Sequence, residues 1–393
     1  MILLQHQDLD CKKIIYNNAN NQLDDKKKNY KMIKEYYKKK INMFNYLQDP
    51  LYSNFNENFE LLDYLSSGSS GVVYEGRCKK KPEKHVCLKF LLNKSEEERR
   101  EKKNKNININ INNNPFYPKI NEINIQNKLK DKNITEYYGY CDLKDYGCIV
   151  MELAKCGDLE YFQKKIIKQS SLSEPFLAYM TKQILDGLFY IHQSKIIHMD
   201  IKQQNILIDE NLNIKLSDFS ISFSYEKYKE NDKINLPLSG TSLYMSPEVL
   251  SKAQIDYEDC SKIDMFSLGV VLFNLAYEKF PYELDYSYKA NFSLILDNIK
   301  KQKLIIPEKP ERKDFSILFK KFLSNLLEKN IKNRMSIYDA LEDPWIKGAD
   351  LLFKEKEKIN DNEKFLINMI TSSIYSFNEY LKNNASDTFH TSN

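Results

Sequence analysis

Apolar positions change their period along this chain. Between residues 56 and 153 they fall in short runs: Phe59-Glu-Leu-Leu-Asp-Tyr-Leu, Gly71-Val-Val-Tyr-Glu-Gly and His85-Val-Cys-Leu-Lys-Phe. Each run is bounded by Gly, Pro, Ser or charge clusters, the punctuation expected of strands. After Leu153 the runs lengthen. Phe176 to Ile191 reads as one long helix, and 264–277 and 315–329 also carry helical periodicity. A strand-rich third followed by a helix-rich remainder predicts an α+β fold in two lobes.

The flanks have a different texture. Ile33, Tyr37, Ile41, Phe44 and Leu47 recur at three- and four-residue steps, with Lys34, Lys38, Lys39 and Lys40 opposite. This spacing predicts a basic amphipathic helix that packs on its own domain or meets a partner or an anionic surface. Leu366, Met369, Ile370, Ile374, Phe377 and Leu381 share a stripe on an expected tail helix. Residues 93–118, rich in charge and then in Asn and Ile, read as a low-complexity insert. The expected organisation is an extension over 1–55, a domain over 56–347 with lobes 56–154 and 155–347, and a helical tail over 348–393.

Composition narrows the class. Hydrophobic residues make up 42% of the 393, enough for a sizeable core. The net charge of +4 lacks the basic excess of a dedicated nucleic-acid binder, so no nucleic-acid partner is expected. Seven dispersed cysteines without a CxxC pair suit reduced thiols, hence a cytoplasmic setting with the nucleus as the alternative. No stretch approaches the ~20 apolar residues of a membrane-crossing helix.

Several clusters carry candidate chemistry. The turn Ser66-Ser-Gly68-Ser-Ser-Gly71-Val-Val73 offers backbone amides at close approach, as a phosphate requires, although a plain hairpin looks the same. Lys89, in the apolar run Val86-Cys87-Leu88-Lys89, must place its ammonium against a carboxylate or a phosphate. Glu122, at the head of a segment that suits a helix, is the candidate carboxylate, with Glu98 and Glu101 as alternatives. The densest cluster is His198-Met-Asp200-Ile-Lys202-Gln-Gln-Asn205, set between apolar runs. Its polar groups are costly to bury without partners. Asp218-Phe219-Ser220, Gly240-Thr241 through Pro247-Glu248, the apolar run from Asp264, and Asn333-Arg334 follow.

Taken in order, these motifs resemble the eukaryotic protein kinase family, serine/threonine type, over roughly 56–347. The resemblance implies a strand-rich N-lobe, a helical C-lobe and phosphoryl transfer from ATP with Mg²⁺. By it, Ser66, Gly68 and Gly71 cover the phosphates, and Lys89 holds them while pairing with Glu122. Asp200 accepts the proton of the substrate hydroxyl, and Lys202 steadies the transferred group. Asn205 and Asp218 bind the metal. Val73, Cys87 and Leu207 enclose adenine, Met151 is the gatekeeper, Glu152 to Ala154 form the hinge, and Asp158 meets the ribose. Thr241 helps orient Asp200 and Lys202, and Glu248 with Arg334 is a structural ion pair. The partners so implied are a protein bearing Ser or Thr acceptors and a regulatory partner for a terminal helix.

Departures from the pattern matter as well. Met199 stands where the family usually has the arginine that receives an activation-loop phosphate, so activity independent of phosphorylation between Asp218 and Glu248 is expected. Ser66 and Ser220 replace glycines, Gln204 replaces a frequent glutamate, and Gln126 is polar where an apolar residue is usual. Cys156 is expected at the surface within reach of electrophiles. The alternatives to an active kinase are a pseudokinase scaffold and, less suited to the Gly240–Glu248 segment, a small-molecule kinase of related fold.

Overall fold

Alternation along the early runs sends one set of side chains into a common apolar layer. The computed structural model describes residues 43–45, 58–68, 71–92, 117–143, 146–164, 174–282, 292–307 and 315–353. Six strands form one sheet: β1 (Met43–Asn45), β2 (Phe59–Gly68), β3 (Gly71–Cys78), β4 (Lys81–Leu92), β5 (Tyr137–Leu143) and β6 (Tyr146–Glu152). Their spatial order is β1-β5-β6-β4-β3-β2. Val72, Tyr74, Val86, Leu88 and Phe90 join Phe59, Cys141, Cys148 and Val150 in its core, while Val73, Glu75, Cys87 and Lys89 project from the opposite face.

The described residues group into two compact units. Those up to Leu92, with those between 138 and 150, form the sheet unit; 117–137 and those from Met151 onward form the helical unit. The chain is thus α+β, with a unit built on one large sheet and a unit built mainly of helices.

The helical unit contains α1 (Tyr117–Lys128), α2 (Leu159–Phe162), α3 (Glu174–Gln193), α4 (Pro247–Leu250), α5 (Lys262–Tyr277), α6 (Phe292–Lys301), α7 (Ile317–Leu326), α8 (Ile337–Glu342) and α9 (Pro344–Phe353). Short two-stranded ribbons punctuate it. They pair β7 (Ile196–Ile197) with β10 (Phe223–Ser224), β8 (Ile206–Ile208) with β9 (Ile214–Leu216), and β11 (Lys233–Asn235) with β12 (Gln254–Asp256). Helix α5 is apolar on every side, the pattern of a helix at the centre of a core. The stretch Tyr257–Tyr277 is long and apolar enough to cross a membrane by composition, yet 83% of that window is buried within the protein. Gly269 lets α7 come close, since a Cβ there would meet Leu326 and Leu327 at 3.0 Å. Glu278, at φ +56°, ends α5 in the left-handed conformation and donates its N–H to Asn274 O at 2.8 Å.

Several expectations change here. Phe44 lies in β1, opposite Asp142 of β5, and not on a helix. Strand pairing has overridden a helical spacing that a short, polar-rich run carries only weakly. The rest of the 30–47 stripe and the 366–381 stripe lie outside the described residues, as do 93–116. Tyr117 and Pro118, expected to close the insert, open α1. The helix carrying Glu122 stops at Lys128, before the Asp131-Lys132-Asn133 turn. Cys156 is buried at 2% exposure, because Cys156 N–H donates to Ile208 O (3.1 Å) and draws the residue under β8.

Candidate active site

The segment between β7 and β8 has little room for regular structure, so its polar groups must find partners around them. Asp200 and Asn205 are both buried. Lys202 Nζ donates to Asp200 Oδ2 at 2.6 Å and to Thr241 Oγ1 at 2.8 Å. Thr241 in turn donates to Asp200 Oδ1 through its N–H (2.9 Å) and its hydroxyl (2.8 Å). Asn205 Nδ2 donates to Asp200 O at 2.8 Å and to Asp200 Oδ2 at 2.9 Å. Four residues predicted from sequence, Asp200, Lys202, Asn205 and Thr241, therefore form one hydrogen-bonded group.

Beneath this group lies an anchor that sequence reasoning passed over. Asp264, fully buried near the start of α5, accepts from His198 N–H (2.8 Å), Met199 N–H (3.0 Å) and His192 Nε2 (2.9 Å). Three donors on one carboxylate stabilise its charge in a setting that would otherwise expel it. Met199 has φ +70°, a conformation unfavourable for a side chain of its kind, and its amide is held by Asp264. Gly240, at φ +118°, leaves the space beside it open: a Cβ there would lie 2.7 Å from Met199 O. The signal for Asp264 was present in the sequence as a lone acid in an otherwise apolar run.

His198 joins the loop to the strand that follows. Its Nε2 donates to Ser217 O at 3.0 Å, which leaves Nδ1 to accept from Asp200 N–H at 3.3 Å. Ser217 donates both its N–H (2.9 Å) and its hydroxyl (3.1 Å) to Asn205 O. Asp218 comes next, half-buried at φ +63°, and the Phe219 ring packs 4.9 Å from the His198 ring. Asn205 and Asp218 are therefore tied to one frame. The amide nitrogen of Asn205 is committed to Asp200, so its oxygen is the end left to offer a metal. A carboxamide oxygen and a carboxylate fit a hard divalent cation such as Mg²⁺.

The other predicted residues occupy definite places. In the sheet unit Ser66 pairs with Val73, Gly68 with Gly71, and Val73 with Lys89. Gly71 is required by its backbone: φ is +146°, and a Cβ would sit 2.1 Å from Phe90 O. Val73, Cys87 and Lys89 share one face, and Lys89 is buried. Burial pushes the Cys87 thiol up to about 12, partly offset by the Lys89 charge.

In the helical unit Glu122 is buried on α1. That helix is tied to the Asp218 segment by Asn121 Nδ2, which donates to Ser222 O at 2.8 Å. Gln126 is buried at 2% exposure, and its side-chain amide has no hydrogen-bond partner among the described residues. Met151 is buried at the end of β6. Glu152 pairs with Lys215 at 2.8 Å and accepts Glu136 N–H at 3.1 Å. Ala154 follows, half-buried. Asp158 caps α2 through Tyr161 N–H (2.8 Å) and bridges to Leu207. Burial raises its carboxyl above the usual range against the pull of that hydrogen bond. Glu248 and Arg334 make a two-pronged buried ion pair, Nη1–Oε1 2.6 Å and Nη2–Oε2 3.0 Å. Cys156 has a thiol that burial raises to about 11.

The family of protein kinase domains matches residues 59–346, most of the chain. The chain belongs to the eukaryotic protein kinase family, and its strand-rich and helical units correspond to that family's bilobal α+β fold. It is 28% identical to the serine/threonine-protein kinase dst2 of Dictyostelium discoideum, over 78% of this chain and 24% of that protein. It is 31% identical to the serine/threonine-protein kinase pakF of the same organism, over 62% and 20%. To the MAP kinase kinase MKK1/SSP32 of Saccharomyces cerevisiae it is 28% identical, over 80% and 57%. The chain thus spans between a fifth and somewhat over half of the length of these relatives.

Proposed function

We propose that this protein transfers the γ-phosphoryl group of ATP to serine and threonine hydroxyls of protein substrates. The observation that carries the reading is the group around Asp200, a carboxylate fixed by Lys202, Thr241 and Asn205. Asp200 accepts the proton of the attacking hydroxyl, which requires a carboxylate held in one orientation. Lys202, held to that carboxylate at 2.6 Å, would share its charge with the phosphoryl group in transfer. Asn205 and Asp218 would hold Mg²⁺, which when bound neutralises charge building on the phosphate oxygens. Lys89 and Glu122 orient the triphosphate. Ser66, Gly68 and Gly71 cover it, and Val73, Cys87, Leu207, Met151, Glu152, Ala154 and Asp158 receive the nucleoside. The dispersed cysteines of the sequence, read as reduced thiols, are the ground for proposing a cytoplasmic setting.

Transfer of labelled phosphate from ATP to a generic acceptor protein tests the proposal. Asp200→Asn is expected to lose about 10²–10⁴-fold in kcat with ATP affinity retained. One observation favours a second reading, a pseudokinase scaffold: the buried amide of Gln126, four residues after Glu122, which has no hydrogen-bond partner among the described residues. Equal signal from wild type and Asp200→Asn would leave the scaffold as the better account.

A further inference from the structure

The segment from Asp218 to Glu248 carries Thr241 at one point and the ion-paired Glu248 at its end, so whatever orders it also sets the Asp200 group. Its first part is held to the loop beneath. Ser222 Oγ donates to His198 O (3.0 Å), β10 pairs with β7, and Tyr225 N–H donates to Lys195 O (2.9 Å). The Tyr225 ring meets the Tyr257 ring edge-on at 5.3 Å, and Tyr257 N–H donates to Asp232 O (3.2 Å).

The second part is closed by strands. β11 pairs with β12 in the register Lys233 with Asp256, Ile234 with Ile255 and Asn235 with Gln254. This ribbon shuts the base of a loop, 236–253, that contains Gly240, Thr241, Tyr244 and Glu248. Ile234 is fully buried and belongs to the main hydrophobic cluster. Asp256 ties the ribbon down from both sides, one carboxylate oxygen taking Lys233 and the other Lys332. Lys332 also pairs with Asp259 (2.6 Å), and Asp259 with Lys262 at the head of α5 (3.0 Å). Closing a loop at its base removes conformational freedom that its functional residues would otherwise have to give up. Met199, the residue before Asp200, is apolar and buried and offers no charge to a phosphate.

We propose that the β11–β12 ribbon, plugged by Ile234 and fastened by Asp256, holds Thr241 against Asp200 without any phosphate on the segment. Ile234 and Asp256 are then positioning residues for phosphoryl transfer. The inference rests on the kinase reading, but the order of the segment is measurable without turnover.

The test uses the full chain after phosphatase treatment, with mass spectrometry to verify that 218–248 is unmodified. Amide hydrogen exchange is followed in peptides covering 236–246 and, as an internal reference, 262–277. Wild type is expected to be protected in both. Ile234→Ser is expected to exchange at least about tenfold faster in 236–246 with 262–277 unchanged, and Ile234→Val to stay close to wild type. In turnover assays Ile234→Ser and Asp256→Asn are expected to lower kcat about tenfold or more while KM for ATP changes less than about twofold. Fast exchange of 236–246 in unphosphorylated wild type would overturn the inference, as would full protection in Ile234→Ser. If that protection pattern holds but wild type and Asp200→Asn transfer phosphate equally, the ribbon stands and the kinase reading falls. Should Ile234→Ser lose protection everywhere, Asp256→Asn, which keeps the core intact, decides: unchanged exchange in 236–246 counts against the proposal.

Discussion

The loop around Asp200 and the hairpin of β2 and β3 are held by opposite means. Around Asp200 the geometry is carried by polar groups, which converge through His198 and Met199 on the buried carboxylate of Asp264. In the hairpin it is carried by backbone pairing over an apolar layer, with Gly71 pressed against the carbonyl of Phe90. A site fixed by charge and hydrogen bonds tolerates no change of atom type even at constant volume, whereas one fixed by packing tolerates no added volume even without charge. Each region can be broken by the substitution that the other would survive.

The largest effect is expected at Asp264. Asp264→Asn keeps the shape but turns an acceptor toward donors as a donor, leaving one of three buried N–H groups opposed or unbonded. A loss of about 3 kcal/mol in denaturant unfolding is expected, since an unsatisfied buried partner costs its full desolvation. A drop in kcat larger than any change in KM for ATP should accompany it.

Next comes Gly71→Ala. Its Cβ would meet Phe90 O at 2.1 Å from a left-handed backbone, so β3 must shift against β4. A loss of about 2 kcal/mol in stability or in the binding of an ATP analogue is expected by calorimetry, at the scale of backbone strain. Unchanged binding and stability would show that the hairpin yields, and would dissolve the contrast.

The smallest effect concerns the cysteines. Burial raises Cys87 and Cys141 to about 12 and Cys156 to about 11, so at pH 8 all three are protonated and poor nucleophiles. Alkylation mapped by mass spectrometry should be slow at these sites in the native protein, faster as pH approaches those values, and fast in denaturant. Because the folded thiols hold their protons above the ordinary value of 9.0, stability from these sites is intact below that pH. It declines as pH rises from there toward about 12. Rapid labelling of Cys156 at pH 8 would show it to be exposed.

Much of the site was legible because its chemistry is local. Asp200, Lys202 and Asn205 lie within six residues, and an apolar frame on both sides made their polarity conspicuous. The hidden parts are non-local. Asp264 is far along the chain from the amides that it binds, and the β11–β12 ribbon has strands too short to show a period. Phe44 illustrates the converse, since a plausible helical spacing gave way to pairing with β5.

Residue type at short separation was enough to read the strand-rich early part, the helical runs after it, the family and the candidate residues for its chemistry. What holds the Asp200 group became visible only in the folded chain: the carboxylate of Asp264 at the head of a core helix and, by our proposal, the plug formed by Ile234. These depend on which distant atoms meet, and a buried polar or crowded group acquires its energetic meaning only from the neighbours that surround it.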